Sequence, residues 1–517
     1  MISDNRATTG KPGPGLAKRS WADALADQAD RNPGRLLAAV LAFHFVVWTL
    51  LPILVSGNLQ LDLAEDLALG KEWQLGYWKH PPLPWWTADL AYRVIGDVRA
   101  VYLLGPLAAI ACLYFVWRLA RELLEPAAAL IAVLALEGLH YFNFSVVKFA
   151  HDQMQLPFWA LTGWLTYRAI AADRARDWIG AGAGLALAFW SKYAALALAF
   201  PILLFLVFDP RARPRWRRPG PYLMAAAFLA LLAPNIWWLV HSGFQPLRYV
   251  DQRAVVASRW YDYLWFPVRW TGSQLLALLP VAGLLALTIG RPERAGLAGL
   301  RSASFEQRYA LMLGLGPFLF TTLVAIPLGR LPVAMWGYPL WCFTPLALLV
   351  WLKPTSDRRR AALFARWALV VLLAWPIAYG ATELGEPFLR DRPKATQFPG
   401  REMAALITQR WHAEIGTDLV YVTGTEFEAN NMAVYSPDRP HVLVHGDPAL
   451  SPWIDMADLK RRGAVLVWSP TSGGISPQDL LARFPAAEMQ QPLVLPRHTL
   501  YPRKPVTVFY AFLKPQP

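Results

Sequence analysis

Apolar runs long enough to cross a bilayer recur between residues 36 and 381 and stop after residue 385. A helix needs about 18 or more such residues to span the hydrocarbon core. Inside lipid every backbone polar group must find its partner within the protein, which leaves helices as the economical solution. This one feature predicts a polytopic α-helical membrane protein with a different kind of domain at its C-terminal end. Charged residues make up only 17% of the chain, against about 25% for soluble domains. The net charge of +14 would suggest nucleic acid in a soluble protein. Here the cations sit in short loops between apolar runs, where they set membrane orientation, so no nucleic-acid partner is expected. The two cysteines, Cys112 and Cys342, both lie in apolar runs, which argues against a disulfide framework or a cysteine metal site.

The pattern gives eleven candidate spans, at 36–56, 100–119, 127–145, 155–172, 178–194, 195–209, 221–240, 270–290, 309–329, 334–352 and 361–381. The stretch 178–209 reads either as one bent helix or as two short ones around Ser191-Lys192. With the N-terminus inside, alternate loops are rich in cations, such as Arg211, Arg213, Arg215, Arg217 and Arg218. The opposite loops carry single cations, Lys148, Lys192 and Arg330, as the positive-inside rule requires. The expected organisation is a loose cytoplasmic tail at 1–34, a transmembrane domain at 35–384 and a soluble periplasmic α/β domain at 385–517. The expected location is a bacterial inner membrane.

Two outer loops are long, 57–99 and 241–269. In the first, Leu61, Ala64, Leu67, Ala68 and Leu75 recur at near-helical spacing with Asp62, Glu65, Asp66 and Lys71 between them. That pattern predicts an amphipathic helix lying on the membrane surface. His80-Pro81-Pro82 ends it, and a second helix follows through 84–95. In the C-terminal domain, β-branched runs at Asp418-Leu-Val-Tyr-Val-Thr-Gly, His441-Val-Leu-Val-His and Ala464-Val-Leu-Val-Trp-Ser alternate with helical patterns at 399–412 and 477–484. Gly424 and Gly446 lack the spacing of a dinucleotide fingerprint.

The chemistry concentrates in residues 61–83, where acids are followed by the cation pair Lys79-His80 and a double proline. Asp62, Glu65 and Asp66 fall on adjacent parts of a helix surface. Carboxylates beside a low-dielectric surface serve as general bases or bind a divalent cation, and a solvated helix face is the plain alternative. Gly76-Tyr-x-x-His80-Pro-Pro, eighteen residues from Asp62 to His80, resembles the first outer loop of bacterial glycosyltransferase family 39. That family is related to protein O-mannosyltransferases and lipid A aminoarabinose transferases. Its usual Asp-Glu-Ala reads Asp62-Leu63-Ala64 here, so a neighbouring acid is missing and Glu65 or Asp66 would have to substitute. Lys148-Phe-Ala-His-Asp152-Gln and Gly184-Leu-Ala-Leu-Ala-Phe-Trp-Ser-Lys192-Tyr are similar to two further family stretches. The resemblance covers roughly residues 36–350.

The resemblance implies a C-type glycosyltransferase fold and transfer of a sugar from a polyprenyl-phosphate donor to a cell-envelope lipid or glycan acceptor, with inversion. It implies Asp62 and Asp152 as the catalytic carboxylates and as ligands of any divalent metal ion. Lys79, His80, Lys192 and Arg330 are then the outer-side groups for the donor phosphate, with Glu65, Asp66 and Tyr77 in support. Trp336 and Tyr338 would shape a sugar pocket or else belong to an aromatic belt. Lys192 also reads as a helix-end residue that snorkels. Rival readings are a protein O-glycosyltransferase of the same fold and a lipid or sugar transporter. The transporter predicts acids and bases at mid-membrane and an internal repeat; here the charges cluster at span ends.

Overall fold

The structure, a computed structural model, describes residues 21–288, 302–353, 358–391, 393–470 and 473–516. Six helices are long and apolar enough to cross a membrane: Pro33–Val55, Val98–Leu123, Gly220–His241, Asp262–Thr288, Phe305–Ala325 and Arg358–Leu389. A seventh arises if Ala334–Trp341 and Thr344–Leu352, bent by 47°, count as one span. Helix His151–Ala172 matches an expected span in length, with 22 residues. Its first turn is polar, with Asp152, Gln153 and Gln155 all buried.

Several segments depart from the sequence reading for identifiable reasons. The expected span 127–145 is α-helical only over Pro126–Leu134 and then continues as 3-10 turns at Ala135–Gly138 and His140–Phe142. There the Glu137 carbonyl accepts from Asn143 Nδ2 (2.7 Å) and Trp375 Nε1 (3.1 Å). The Glu137 carboxylate meets His44 Nδ1 at 3.1 Å in the interior. Those contacts replace the helical ladder. In the expected span 334–352, Pro339 and Pro345 remove backbone donors where the chain bends. Gln274 braces the bend, donating to the Ala334 carbonyl and accepting from Trp341 Nε1, both at 2.9 Å. The stretch 178–209 is two helices, Ala175–Ser191 and Leu196–Phe208, joined by a turn at Tyr193–Ala195. The expected end of the span 270–290, beyond residue 288, lies outside the described residues, as do residues 1–20 of the tail. The rest of the tail is helical rather than loose: Trp21–Arg31 packs on the long helix Arg358–Leu389, with Asp27 and Arg358 paired at 2.7 Å.

Helix Ala175–Ser191 is wedged between His151–Ala172 and Gly220–His241. Small residues allow that approach, as is usual between membrane helices. A Cβ on Gly182 would sit 2.2 Å from the Met224 carbonyl oxygen. Gly182→Val is therefore expected to cost about 1–3 kcal/mol of stability by overpacking. The thermal midpoint of the detergent-purified protein should fall. Gly283→Val, where a Cβ would meet nothing within 4 Å, should leave it nearly unchanged.

The C-terminal region is α/β, as expected. Its six-stranded sheet runs in the order His441–Val444, Tyr421–Gly424, Ala464–Trp468, Val506–Leu513, Glu488–Met489, with Leu493–Leu495 pairing to Val506–Leu513 off that path. The first three strands are parallel and the long Val506–Leu513 strand is antiparallel to its neighbours. The expected helices appear as Gly400–Ile415 and Pro477–Arg483.

The first long loop does not lie free on a membrane surface. Helix Leu61–Gly70 packs against Leu83–Ile95 on one side and against Glu426–Tyr435 of the C-terminal region on another. Leu63, Ala64, Leu67 and Ala68 share one buried core with Val422, Val444, Met432 and Tyr510. The apolar residues that a surface helix would give to lipid are packed here against a domain more than 300 residues downstream. Lys71 Nζ donates to the Pro440 carbonyl (2.7 Å) and Glu72 meets His441 Nδ1 (2.9 Å), which tie the two together.

Candidate active site

The cluster forms where helix Leu61–Gly70, the turn after it and the start of helix His151–Ala172 converge beneath the C-terminal domain. Asp62 stands in the first turn of its helix and is partly exposed; Glu65 and Asp66 are buried. Burial pushes the Asp62 carboxyl up, against the opposing pull of Lys79 and Lys148; Asp152 and Glu426 add to the rise. The Oδ2 atom of Asp66 is buried without a hydrogen-bond partner among the described residues. Burial, then Asp62 and Glu65, hold Asp66 well above the ordinary carboxylate range.

Lys79 Nζ bonds Glu65 Oε1 at 2.9 Å and also contacts Glu426 Oε1 from the C-terminal domain. Burial opposes the charge on Lys79, but the two carboxylates outweigh it and raise the lysine. Burial and then Glu426 push Glu65 up to about 8. Lys79 pulls Glu426 below its usual range against the effect of burial. Two acidic side chains thus share one ammonium. The expected phosphate grip by Lys79 is corrected to this extent: its ammonium is occupied.

The His80 ring lies tilted against His151, 4.0 Å between ring centroids, and packs edge-on to Tyr249. Burial, then His151, Lys192 and Lys79, lower it well below the usual histidine range. Tyr77 is buried, donates to the Leu69 carbonyl (3.0 Å) and packs edge-on against Trp85. It braces the turn that carries Lys79 and His80.

Lys192 caps the end of helix Ala175–Ser191 in an extended conformation. That break turns its side chain onto Asp152, with Nζ 2.6 Å from Oδ1 and both side chains about nine-tenths buried. Lys192 therefore does not snorkel. Trp336 lies 5.9 Å from the same ammonium; the Tyr338 side chain lies outside the described residues. Arg330 stands apart from these contacts: it pairs with Asp251 and lies in a strand against Val255–Val256.

Sequence reasoning missed Glu426, His445, Tyr249, Arg253 and His151. Glu426 and His445 come from the C-terminal domain, and Tyr249 and Arg253 from helix Gln245–Arg253 of the second long loop. None lies in a motif with a chemical signature; His151, beside Asp152, and His445, at the end of the His441-Val-Leu-Val-His run, stood inside quoted stretches. Lys148 faces Asp62 and Arg253 faces His80 electrostatically. Both are exposed, and among the described residues neither has an ion pair.

The donor set around Asp62 is poor for a divalent ion, because Asp152 already gives its oxygen to an ammonium. Among the described residues the group of three with metal-ligand spacing is elsewhere, at His412, Asp418 and Asp438 on the C-terminal domain. What the site can do is place a part-exposed carboxylate beside cations.

Residues 79–238 match the model of the family described as dolichyl-phosphate-mannose-protein mannosyltransferase. The chain is 23% identical over 464 residues to the lipopolysaccharide core galacturonosyltransferase RgtB of Rhizobium johnstonii, covering 86% of this chain and 90% of the relative. Its fold is that of ArnT from Cupriavidus metallidurans. Against the apo state the TM-score is 0.62 at 15% identity, over 92% of this chain and 97% of that one. Against the form bound to undecaprenyl phosphate it is 0.60 at 15% identity, over 92% and 96%.

Proposed function

We propose, from the premise that this chain is a membrane glycosyltransferase of the C-type fold, that it moves a sugar from a polyprenyl phosphate to a lipid or glycan of the cell envelope. The observation that carries the reading is Asp62, a part-exposed carboxylate on a buried acidic helix, facing Lys79, Lys148 and the Asp152–Lys192 pair. ArnT binds undecaprenyl phosphate in its solved complex, and RgtB is named for transfer to the lipopolysaccharide core; both support the choice of donor and acceptor class. The C-terminal domain is then periplasmic, and the spanning helices cross a bacterial inner membrane.

In the proposed reaction Asp62 takes the proton from an acceptor hydroxyl. The freed oxygen attacks the anomeric carbon as the bond to the phosphate oxygen breaks. The electron pair leaves with the polyprenyl phosphate, and the single displacement inverts the anomeric centre. Lys192 and Lys79, joined by Lys148 and Arg253, offset the charge that grows on the phosphate, an effect that strengthens toward the transition state. His80 contributes a hydrogen bond. Asp152 orients Lys192. No step runs through a metal.

A pH profile follows from the sign of the Asp62 shift. A base must be deprotonated, so kcat/KM should rise with pH through the Asp62 pKa. Because that pKa is raised, the acid limb should lie above the ordinary aspartate value of about 3.9. Lys148 lowers it, so Lys148→Met should move the limb to higher pH and Lys148→Arg should restore it. A limb that ignores both changes contradicts the role given to Asp62.

The physiological test is mass spectrometry of envelope lipids and glycans from a strain lacking the chain. One species should lose the mass of a single sugar and regain it on complementation. An unchanged envelope, with a sugar missing instead from proteins, would favour a protein acceptor.

A further inference from the structure

We propose that Glu426 is a built-in competitor of the donor phosphate: it occupies Lys79 in the empty site and moves to His445 when the anionic donor binds. This rests on the polyprenyl-phosphate reading and adds to it a binding-determining residue from the C-terminal domain.

The geometry supplies both ends of the move. Lys79 Nζ is shared by Glu65 and Glu426. A phosphate arriving at the same ammonium would have to share it with both side chains, so one of them must withdraw. Glu65 cannot, because its helix is packed against Leu83–Ile95 and against Glu426–Tyr435, and its side chain is only 11% exposed. Glu426 is the first residue of its helix, and its side chain is 27% exposed. It also has somewhere to go. His445 Nε2 lies 3.9 Å from Glu426 Oε2, is buried, and has no hydrogen-bond partner among the described residues.

The surroundings hold His445 in readiness. Its backbone is in the left-handed region, with φ of 52°, which a residue bearing a side chain adopts only when its surroundings enforce it. Its ring packs edge-on against Trp78, the residue before Lys79. Thr425 and Ser469 both donate to Glu428, fixing the start of the helix from which Glu426 extends. Only the Glu426 side chain therefore needs to rotate. Donor occupancy is in this way communicated to the C-terminal domain through a single carboxylate.

The test uses the full chain in detergent or nanodiscs and undecaprenyl phosphate as the probe. Removing a competitor should strengthen binding, so Glu426→Gln should bind more tightly than wild type, on the order of 5- to 150-fold, as for ordinary coupling between two ligands. His445→Phe, which removes the alternative partner, should bind more weakly, and the double variant should resemble Glu426→Gln. A merely structural Glu426 would give equal or weaker binding together with a lower thermal midpoint. Should a variant fail to fold, the wild-type chain alone still decides. A zero-length carbodiimide cross-link between Lys79 and Glu426 should form without lipid and disappear with it. Persistence of that cross-link at saturating lipid overturns the competitor role. Failure of the wild-type chain to bind undecaprenyl phosphate overturns the donor reading and the competitor together. Normal wild-type binding with equal or weaker binding by folded Glu426→Gln overturns the competitor alone.

Discussion

Asp62→Asn is expected to lower turnover on the order of 100- to 10,000-fold, the usual contribution of a positioned general base. The substitution keeps the shape and removes only the ability to take a proton. Asp62 lies beside Asp152 and Glu426 as well as beside Lys79 and Lys148, so loss of its charge also relieves repulsion within an acid-rich cluster. The folded protein should therefore persist, with a thermal midpoint at or above that of the wild type. Donor binding should change far less than turnover, since the phosphate is assigned to the cations. Single-turnover rates beside equilibrium binding of undecaprenyl phosphate separate the two. Loss of binding in step with loss of rate would make Asp62 a donor-binding residue instead of a base.

The second large effect concerns Asp152 and Lys192. Their contact is 2.6 Å long and both side chains are almost wholly buried. Removing one partner leaves a buried charge uncompensated, which costs about 3–5 kcal/mol. Asp152→Asn and Lys192→Met should each lower the thermal midpoint sharply and abolish activity. The double variant should regain most of the lost stability, because a buried pair replaced by neutral groups is often neutral for folding. Its activity is the informative readout. If the pair only shaped the site, the double variant would work again. On the proposed mechanism Lys192 offsets charge on the leaving phosphate, so the double variant should be stable and inactive. Lys192→Arg, which keeps the charge, should retain part of the activity.

Some local signals in the sequence reappear in the structure. The stretch 178–209 left one bent helix or two short ones open; the fold makes it two, and the break between them turns Lys192 onto Asp152. The strands around Tyr421–Gly424, His441–Val444 and Ala464–Trp468 read from β-branched runs ending at turns. Helix Leu61–Gly70 also read correctly as a helix, but its setting did not. Hydrophobic periodicity separates an apolar from a polar face, and it does not say whether water or protein covers the polar one. Here protein covers it: Glu65 meets Lys79, and Glu65 and Asp66 are buried rather than solvated.

The same limit hid Glu426. It meets Lys79 across 347 residues of sequence, in a domain whose alternating strands and helices carry no motif tied to sugar or phosphate chemistry. Arg253 and Tyr249 were equally silent, because a single cation or tyrosine in a long loop has no spacing to mark it. Arg330 shows the converse. Its place at a span end suggested a phosphate contact, yet in the fold Asp251 takes its charge. The break at Glu137 was illegible for a third reason. An apolar run predicts a continuous helix, and the competing partners His44 and Trp375 come from two other helices.

The central claim is that this chain transfers a sugar from a polyprenyl phosphate with Asp62 as the base. The most direct measurement is transfer by the purified full-length protein, given radiolabelled undecaprenyl-phosphate sugars and an envelope lipid and glycan extract. The account expects label to appear in one acceptor with wild type, with the anomeric configuration inverted, and not with Asp62→Asn. Equal labelling by the two proteins, or retention of configuration in the product, would contradict it.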